Sequence, residues 1–207
     1  ESESRGLGDV YKRQVSNPCN QDNPDSEKLI RYLIKHNHWS PFEMAHMVVE
    51  INTTRSIAAQ ILRHRSFSFQ EFSQRYSDVN NLSQMLTPAL RRQDHENRQN
   101  SIDDLDHTFV QMYTRQIDDL FDDCVHLYRE LVDLGVAKEC AREILPLATP
   151  TRLYMAGSIR SWIHYIQLRS ANGTQFEHQQ IAVGCGEILK EALPNVYRAC
   201  YGEQGSS

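Results

Sequence analysis

Arginine is the residue type whose placement in this chain suggests chemistry. Between Thr53 and Tyr76 lie Arg55, Arg63, Arg65 and Arg75 against one acid, Glu71; between Ile144 and Phe176 lie Arg152, Arg160 and Arg169 with no acid at all. A guanidinium presents a planar fork of donors that matches phosphate and carboxylate oxygens. Two such islands in a chain of net charge −5 are suited to holding an anion at particular points. The same arginines could instead pair with the acid-rich stretch at Asp103, Asp104, Asp106, Asp118 and Asp119, and charge placement alone does not choose. Other chemistries find less support. No three of the nine histidines share metal-ligand spacing with carboxylates, so no metal site is expected. His46 reads as a neutral, hydrogen-bonded histidine. Cys19, Cys124, Cys140, Cys185 and Cys200 form no C-x-x-C pair and suit reduced thiols packed as small core residues. The chain has no G-x-G-x-x-G, which excludes a Rossmann cradle for a dinucleotide.

One constellation is more specific. Arg63-His64-Arg65, seven intervening residues and Ser73 make R-H-R-x7-S. Upstream stands His38-x-Ser40-Pro41-Phe42-Glu43, and Gln60 lies three residues before Arg63. Downstream come Ala141-Arg142-Glu143-Ile144-Leu145-Pro146, Arg160-Ser161-Trp162 and Leu168-Arg169. On these residues the chain resembles the flavin-dependent thymidylate synthases, from about Val15 to Tyr201. It departs from that pattern at Met44, where histidine is frequent, at Gln74, where smaller residues are frequent, and at Ser158 and His164, which replace asparagines found in some members.

The resemblance implies reductive methylation of dUMP to dTMP, with FAD as cofactor, 5,10-methylenetetrahydrofolate as carbon donor and NADPH as reductant. It implies flavin contacts at Ser40, Arg63, His64, Arg65, Glu71, Ser158, Ile159, Arg160 and His164, with His38 near the flavin. It implies dUMP contacts at Gln60, Arg63, Glu71, Phe72, Ser73, Gln74, Arg75, Arg142 and Arg169. Arg75 and Arg142 match the phosphate ligands. Arg169 matches the arginine set against the uracil, where negative charge must develop before C5 becomes nucleophilic. Ser73 stands where a nucleophile would be expected, but a serine needs an adjacent base and nothing nearby in sequence supplies one, so it is read as orienting the substrate. The resemblance also implies a homotetramer with shared active sites. Arg160 and Arg169 are about 900° of helical turn apart, so they leave a straight helix on opposite sides and would serve different pockets.

The elements that must position these residues follow from periodicity. Leu29, Ile30, Leu33 and Ile34 predict a helix capped by Asp25 or Ser26 and ending near His38, because Pro41 disfavours helix at Ser40. From Ala45 to Asn52 apolar and polar residues alternate, as in a strand with one buried face. Thr53 or Thr54 caps a short helix with Ile57, Ala58, Ile61 and Leu62 inward. Ser66 to Tyr76 shows no helical period and reads as loop or extended chain. The longest helix is predicted from about Ser101 to Leu134, with Leu105, Phe109, Met112, Ile117, Leu120, Phe121, Cys124, Leu127 and Leu131 as its inward stripe and Gly135 as its stop. Shorter elements follow at Lys138 to Leu145, Leu153 to Met155 (a strand), Ser158 to Leu168 and Glu177 to Leu193. The expected fold is α+β: a helix-rich single domain with a small mixed or antiparallel sheet.

The bulk numbers agree with one domain. The chain has 207 residues, 40% hydrophobic and 24% charged, an ordinary globular balance. No apolar run is long enough for a bilayer, and the acidic balance argues against coating nucleic acid, so neither membrane nor nucleic acid is expected as a partner. Residues 1–14 show no period and no apolar centre and are read as a disordered leader or cloning remnant; residues 15–201 are the domain and 202–207 a loose tail. A cytoplasmic location is expected.

Overall fold

The computed structural model describes residues 26–73 and 87–202. Its centre is a three-stranded antiparallel sheet in the order β1-β5-β2, formed by β1 (His46–Thr54), β2 (Ser68–Glu71) and β5 (Pro150–Ser158). His46 pairs with Ser158 and Thr54 with Pro150 along β1; Ser68 pairs with Ala156 and Glu71 with Leu153 along β2. The alternation in β1 does what it predicts: Val49, Ile51 and Thr53 are buried, while His46, Val48, Glu50 and Asn52 face out. The predicted strand at Leu153 to Met155 is the middle of the nine-residue central strand.

Helices cover the inner face. They are α1 (Ser26–Lys35), α2 (Ser40–Glu43), α3 (Arg55–Ile61), α4 (His107–Asp133), α5 (Lys138–Ala141), α6 (Ile159–Arg169), α7 (Phe176–Ala192) and α8 (Pro194–Tyr201); a 3-10 turn, Arg142–Ile144, follows α5, and β3 (Arg92–Gln93) pairs with β4 (Ser101–Ile102) in a small hairpin. The core joins Val49, Ile51, Leu153 and Met155 of the sheet to Trp162, Ile163 and Ile166 of α6 and Ala182, Cys185 and Leu189 of α7. Trp162 is fully buried and its indole N–H donates to Met47 O at 3.0 Å, which ties α6 to β1. Tyr201 Oη donates to Ile163 O at 3.1 Å and so ties α8 to α6.

Several expectations change. Helix α1 stops at Lys35, Asn37 takes a left-handed φ of 58°, and Ser40 to Glu43 form a helical turn of their own with Pro41 in its first turn, the one helical place proline tolerates. Leu62 ends exposed, just beyond the α3 C-terminus. Helix α4 begins six residues later than its periodicity predicts, because Ser101 and Ile102 are taken by the hairpin and Asp106 caps the helix, accepting from Phe109 N at 3.0 Å. Its C-terminus is as expected: Gly135 has φ 86°, and Gly135 N and Val136 N return to Val132 O and Leu131 O. Among the described residues, its stripe is buried only in part. Phe121 is buried and Ile117, Cys124 and Leu131 are half-buried, whereas Phe109, Met112, Leu120 and Leu127 stay exposed; Tyr128, outside the expected stripe, is buried against Ala141 of α5.

Candidate functional site

The R-H-R turn is built between two anchors. Thr54 caps α3, and Arg55 N and Ser56 N are satisfied by Thr149 O and Leu147 O, so α3 starts where the loop before β5 ends. Beyond the turn, Phe67 is buried against Trp162 and Tyr165, at ring-centroid distances of 4.9 and 5.8 Å. Arg63 and Arg65 are left exposed on the turn and His64 is half-buried.

His64 joins Gln60, Arg169, Tyr165 and His178 in a polar cluster beneath the turn. Arg169 Nε donates to His64 Nε2 at 2.9 Å. Tyr165 Oη lies 3.1 Å from His178 Nε2, and His178 Nδ1 lies 3.3 Å from Gln60 Oε1. Burial first, and then the nearby charge of Arg169, pulls the pKa of both His64 and His178 down to about 4. Both rings are therefore neutral at neutral pH, and a His64 that accepts on Nε2 carries its proton on Nδ1. Burial alone raises the Cys185 thiol to about 12, which makes it a core residue and no nucleophile.

The second group lies at the other end of α6. A cavity of about 760 Å³ is lined by Ser158, Arg160, Ser161 and His164 with Ser66 and Ser68, and it is walled by Trp39, Glu43, His46 and Gly157. Ser158 caps α6, accepting from Ser161 N at 3.3 Å, and Arg160 is paired with Glu43 of α2. Ile159 is in the core and its N–H is given to Ala45 O, so its side chain and amide are turned from the cavity. Ser40 and His38 are exposed; the His38 ring lies near Tyr32 and His36 and does not line this cavity.

The remaining expected ligands sit elsewhere. Glu71 accepts from Thr151 Oγ1 at 2.8 Å at the end of β2 remote from Ser68, and Phe72 and Ser73 continue exposed from there. Arg142 is in the 3-10 turn, 3.7 Å from Glu143. Gln74 and Arg75 lie outside the described residues. Sequence reasoning missed Tyr165, His178, Gln175 and the cavity residues Trp39, Ser66 and Ser68. His178 carried a signal: it shares a helical stripe with Ala182, Cys185 and Leu189, so the pattern placed a polar ring in the core.

Among the described residues, Arg152 and Arg160 of the second island take partners outside the acid-rich stretch. Arg152 bonds Asn52 and Glu50 on the outer face of the sheet, Arg160 bonds Glu43, and it is Arg92 that binds Asp104. Among the described residues Arg169 has no carboxylate partner, and no group of three His, Cys, Asp or Glu is placed to hold a metal ion. No described helix is long and apolar enough to cross a membrane.

Comparison with known proteins fits this arrangement. The family model described as thymidylate synthase complementing protein matches residues 7–195. A protein of Paramecium bursaria Chlorella virus 1 named as a probable flavin-dependent thymidylate synthase is 49% identical over 194 residues, covering 92% of this chain and 88% of its own length. The flavin-dependent thymidylate synthase of a Synechocystis strain is 49% identical over 190 residues, 92% of this chain and 86% of its own. That of Thermosipho melanesiensis is 32% identical over 193 residues, 91% and 84% of the two chains. Matched in this way along nearly its whole length, the chain belongs to the flavin-dependent thymidylate synthase family and is an enzyme of that type.

Proposed function

We propose that this chain converts dUMP to dTMP by reductive methylation, with 5,10-methylenetetrahydrofolate as carbon donor and NADPH as reductant through FAD. The observation that carries the reading is the setting of Arg169. It is held by a neutral imidazole, and among the described residues no carboxylate offsets its charge. An oriented guanidinium with no carboxylate against it among the described residues is what a uracil acquiring negative charge requires.

The cavity at the start of α6 fits the flavin nucleotide in its donors: hydroxyls of Ser66, Ser68 and Ser161, the Arg160 guanidinium, and the N-terminus of an eleven-residue helix turned to an anionic group. Bound there, FAD supplies the redox chemistry, and the protein supplies position and field. Arg160, Ser158 and His164 hold it from α6, with Arg63, His64, Arg65, Ser40 and Glu71 from other segments of the assembled site and His38 near the ring. Gln60, Arg63, Glu71, Phe72, Ser73, Gln74, Arg75 and Arg142 take dUMP, with Arg75 and Arg142 on its phosphate and Ser73 orienting it. Arg169 polarises the uracil towards attack from C5.

The spread of these residues over one subunit favours shared sites in a homotetramer. Arg160 and Arg169 lie on the order of 13 Å apart along α6, which suits two ligands or two pockets. The uncovered stripe of Phe109, Met112, Leu120 and Leu127 on α4 is apolar surface of the kind that another subunit covers. A cytoplasmic location agrees with a nucleotide substrate.

The test is an anaerobic assay: bleaching of protein-bound FAD by NADPH, then dTMP formation on adding dUMP and methylenetetrahydrofolate. Arg169→Ala should keep FAD and still be bleached, yet lose roughly 10²–10³-fold in dTMP formation. Full dTMP formation in that variant would remove Arg169 from the chemistry, and failure to bind any flavin would remove the reading.

A further inference from the structure

A line of hydrogen bonds runs from the core between α6 and α7 out to the surface. Tyr165 Oη is 3.1 Å from His178 Nε2, and His178 Nδ1 is 3.3 Å from Gln60 Oε1. Gln60 Nε2 is 2.7 Å from Gln175 Oε1, and Gln175 Nε2 is 2.9 Å from Glu177 Oε2. The other Glu177 oxygen receives Arg91 Nη2 at 2.7 Å, and Arg91 Nε continues to Ser101 Oγ at 2.8 Å. Tyr165 and His178 are fully buried, so their polar atoms depend on this line.

Taken singly, four of these groups are ambidextrous. A hydroxyl, a neutral imidazole and two side-chain amides can each run the line in either direction. Glu177 cannot, because an ionised carboxylate only accepts. Burial pushes its pKa up, but the hydrogen bonds from Arg91, from its own backbone N–H and from Gln175 outweigh that and hold it below the usual carboxylate range. Its place in the first turn of α7 favours the anion as well. Gln175 must therefore turn its NH₂ to Glu177 and its carbonyl oxygen to Gln60. Gln60 then gives its NH₂ to Gln175 and receives on its carbonyl oxygen from His178 Nδ1–H. His178, neutral, is left with its lone pair on Nε2 for the Tyr165 hydroxyl. The direction set at the surface fixes a tautomer in the core.

We propose that Glu177 and His178 are positioning residues which, through this one-way line, lock the Gln60 amide with its carbonyl inward and its NH₂ outward. The outward amide is then a donor, suited to a phosphate or uracil oxygen; the opposite flip would set a carbonyl oxygen against that acceptor. The proposal rests on the reading above that Gln60 contacts dUMP, and it adds what decides the sign of that contact.

Glu177→Gln separates the direction of the line from its presence. Arg91 only donates, so it would hold the new amide oxygen, and the new NH₂ would face Gln175. Each group in turn would reverse, ending with His178 protonated on Nε2 and the Gln60 carbonyl outward. Long-range ¹H–¹⁵N correlation on the full-length, FAD-loaded protein reads the tautomer directly, and calorimetric titration with dUMP reads the consequence. The expected results are an Nδ1–H tautomer for His178 in the wild type, Nε2–H in Glu177→Gln with dUMP bound roughly tenfold more weakly, and Nδ1–H with near-normal affinity in Glu177→Asp. FAD retention checks that each variant is folded. An Nε2–H tautomer in the wild type, or an unchanged tautomer in Glu177→Gln, overturns the one-way line. An inverted tautomer with unchanged dUMP affinity overturns the positioning role. Gln60→Ala keeps this apart from the underlying reading: unaltered dUMP affinity in that variant removes the contact itself, while the tautomer measurement still decides the direction of the line.

Discussion

Acidification should unfold this protein through His178, by an amount that the structure bounds. The ring is fully buried between Tyr165 and Gln60, and its pKa is pulled from 6.5 to about 4 by burial first and then by the charge of Arg169. Between those two values the unfolded chain takes up a proton that the folded chain refuses. Folding stability is therefore intact above about pH 6.5, falls as the pH drops, and levels off near pH 4. The full difference is roughly 3 kcal/mol at 1.36 kcal/mol for each pKa unit, and about 2 kcal/mol of it is gone by about pH 5. His64 acts in the same direction, but it is half-exposed, so solvent screening reduces its share. Urea unfolding at about pH 7.5 and about pH 5, in the wild type and in His178→Gln, measures the share of this one ring. The glutamine variant is less stable throughout, but its loss between the two pH values should be smaller than that of the wild type by about 2 kcal/mol. Equal losses in the two proteins refute the reasoning, as does an NMR titration of His178 in the folded protein with a midpoint near 6.5.

Two further expectations concern the scaffold around the site. In Gly157→Ala the new Cβ would come within 2.6 Å of Phe67 Cε1, and that ring has Trp162 and Tyr165 behind it; the cost should be about 1–3 kcal/mol, seen as a Tm lower by several degrees, and an unchanged Tm would show that Phe67 has room to move. Thr54→Ala removes the hydroxyl that caps α3 and should cost about 1 kcal/mol in urea unfolding, with no effect expected if Ser56, 2.8 Å away, takes over the cap.

The parts of the fold that were legible are those where one local signal and one tertiary role coincide. The alternation in β1, the Thr54 cap and the Gly135 stop are such cases. Strand β5 was legible only at Leu153 to Met155, because its far end contains Ala156 and Gly157, poor strand formers, and the missing side chain of Gly157 is what lets Phe67 pack there. Strand β2 has no period of its own and exists because β5 offers it an edge. Helix α8 follows α7 across Pro194, which a sequence reads as an end although proline is also a good first residue of a helix. The stripe on α4 shows the opposite limit: periodicity tells which face is apolar and says nothing of what covers it. At the site, the family resemblance named Gln60, His64 and Arg169, which the structure brings into one cluster. The line of hydrogen bonds that orients Gln60 passes through His178 and Glu177, which no motif includes.

Helix α6 carries two arginines, and their partners give them different electrostatic characters. Arg160 is paired with Glu43 at the exposed rim of the cavity, so its charge is offset until a ligand competes for it. Arg169 is held by His64, a partner that orients without neutralising. That distinction depends on the imidazoles staying uncharged, and the same arginine helps to keep them so, since its field disfavours protonation of both His64 and His178. A carboxylate in the place of His64 would hold the guanidinium as firmly and cancel its charge; at about 4 Å and an effective dielectric near 20 that opposing interaction is about 4 kcal/mol, comparable to the whole effect expected of a catalytic donor. A half-buried neutral histidine is therefore more than a tolerated polar residue here. It orients Arg169 without offsetting its charge, which is what the proposed uracil contact requires.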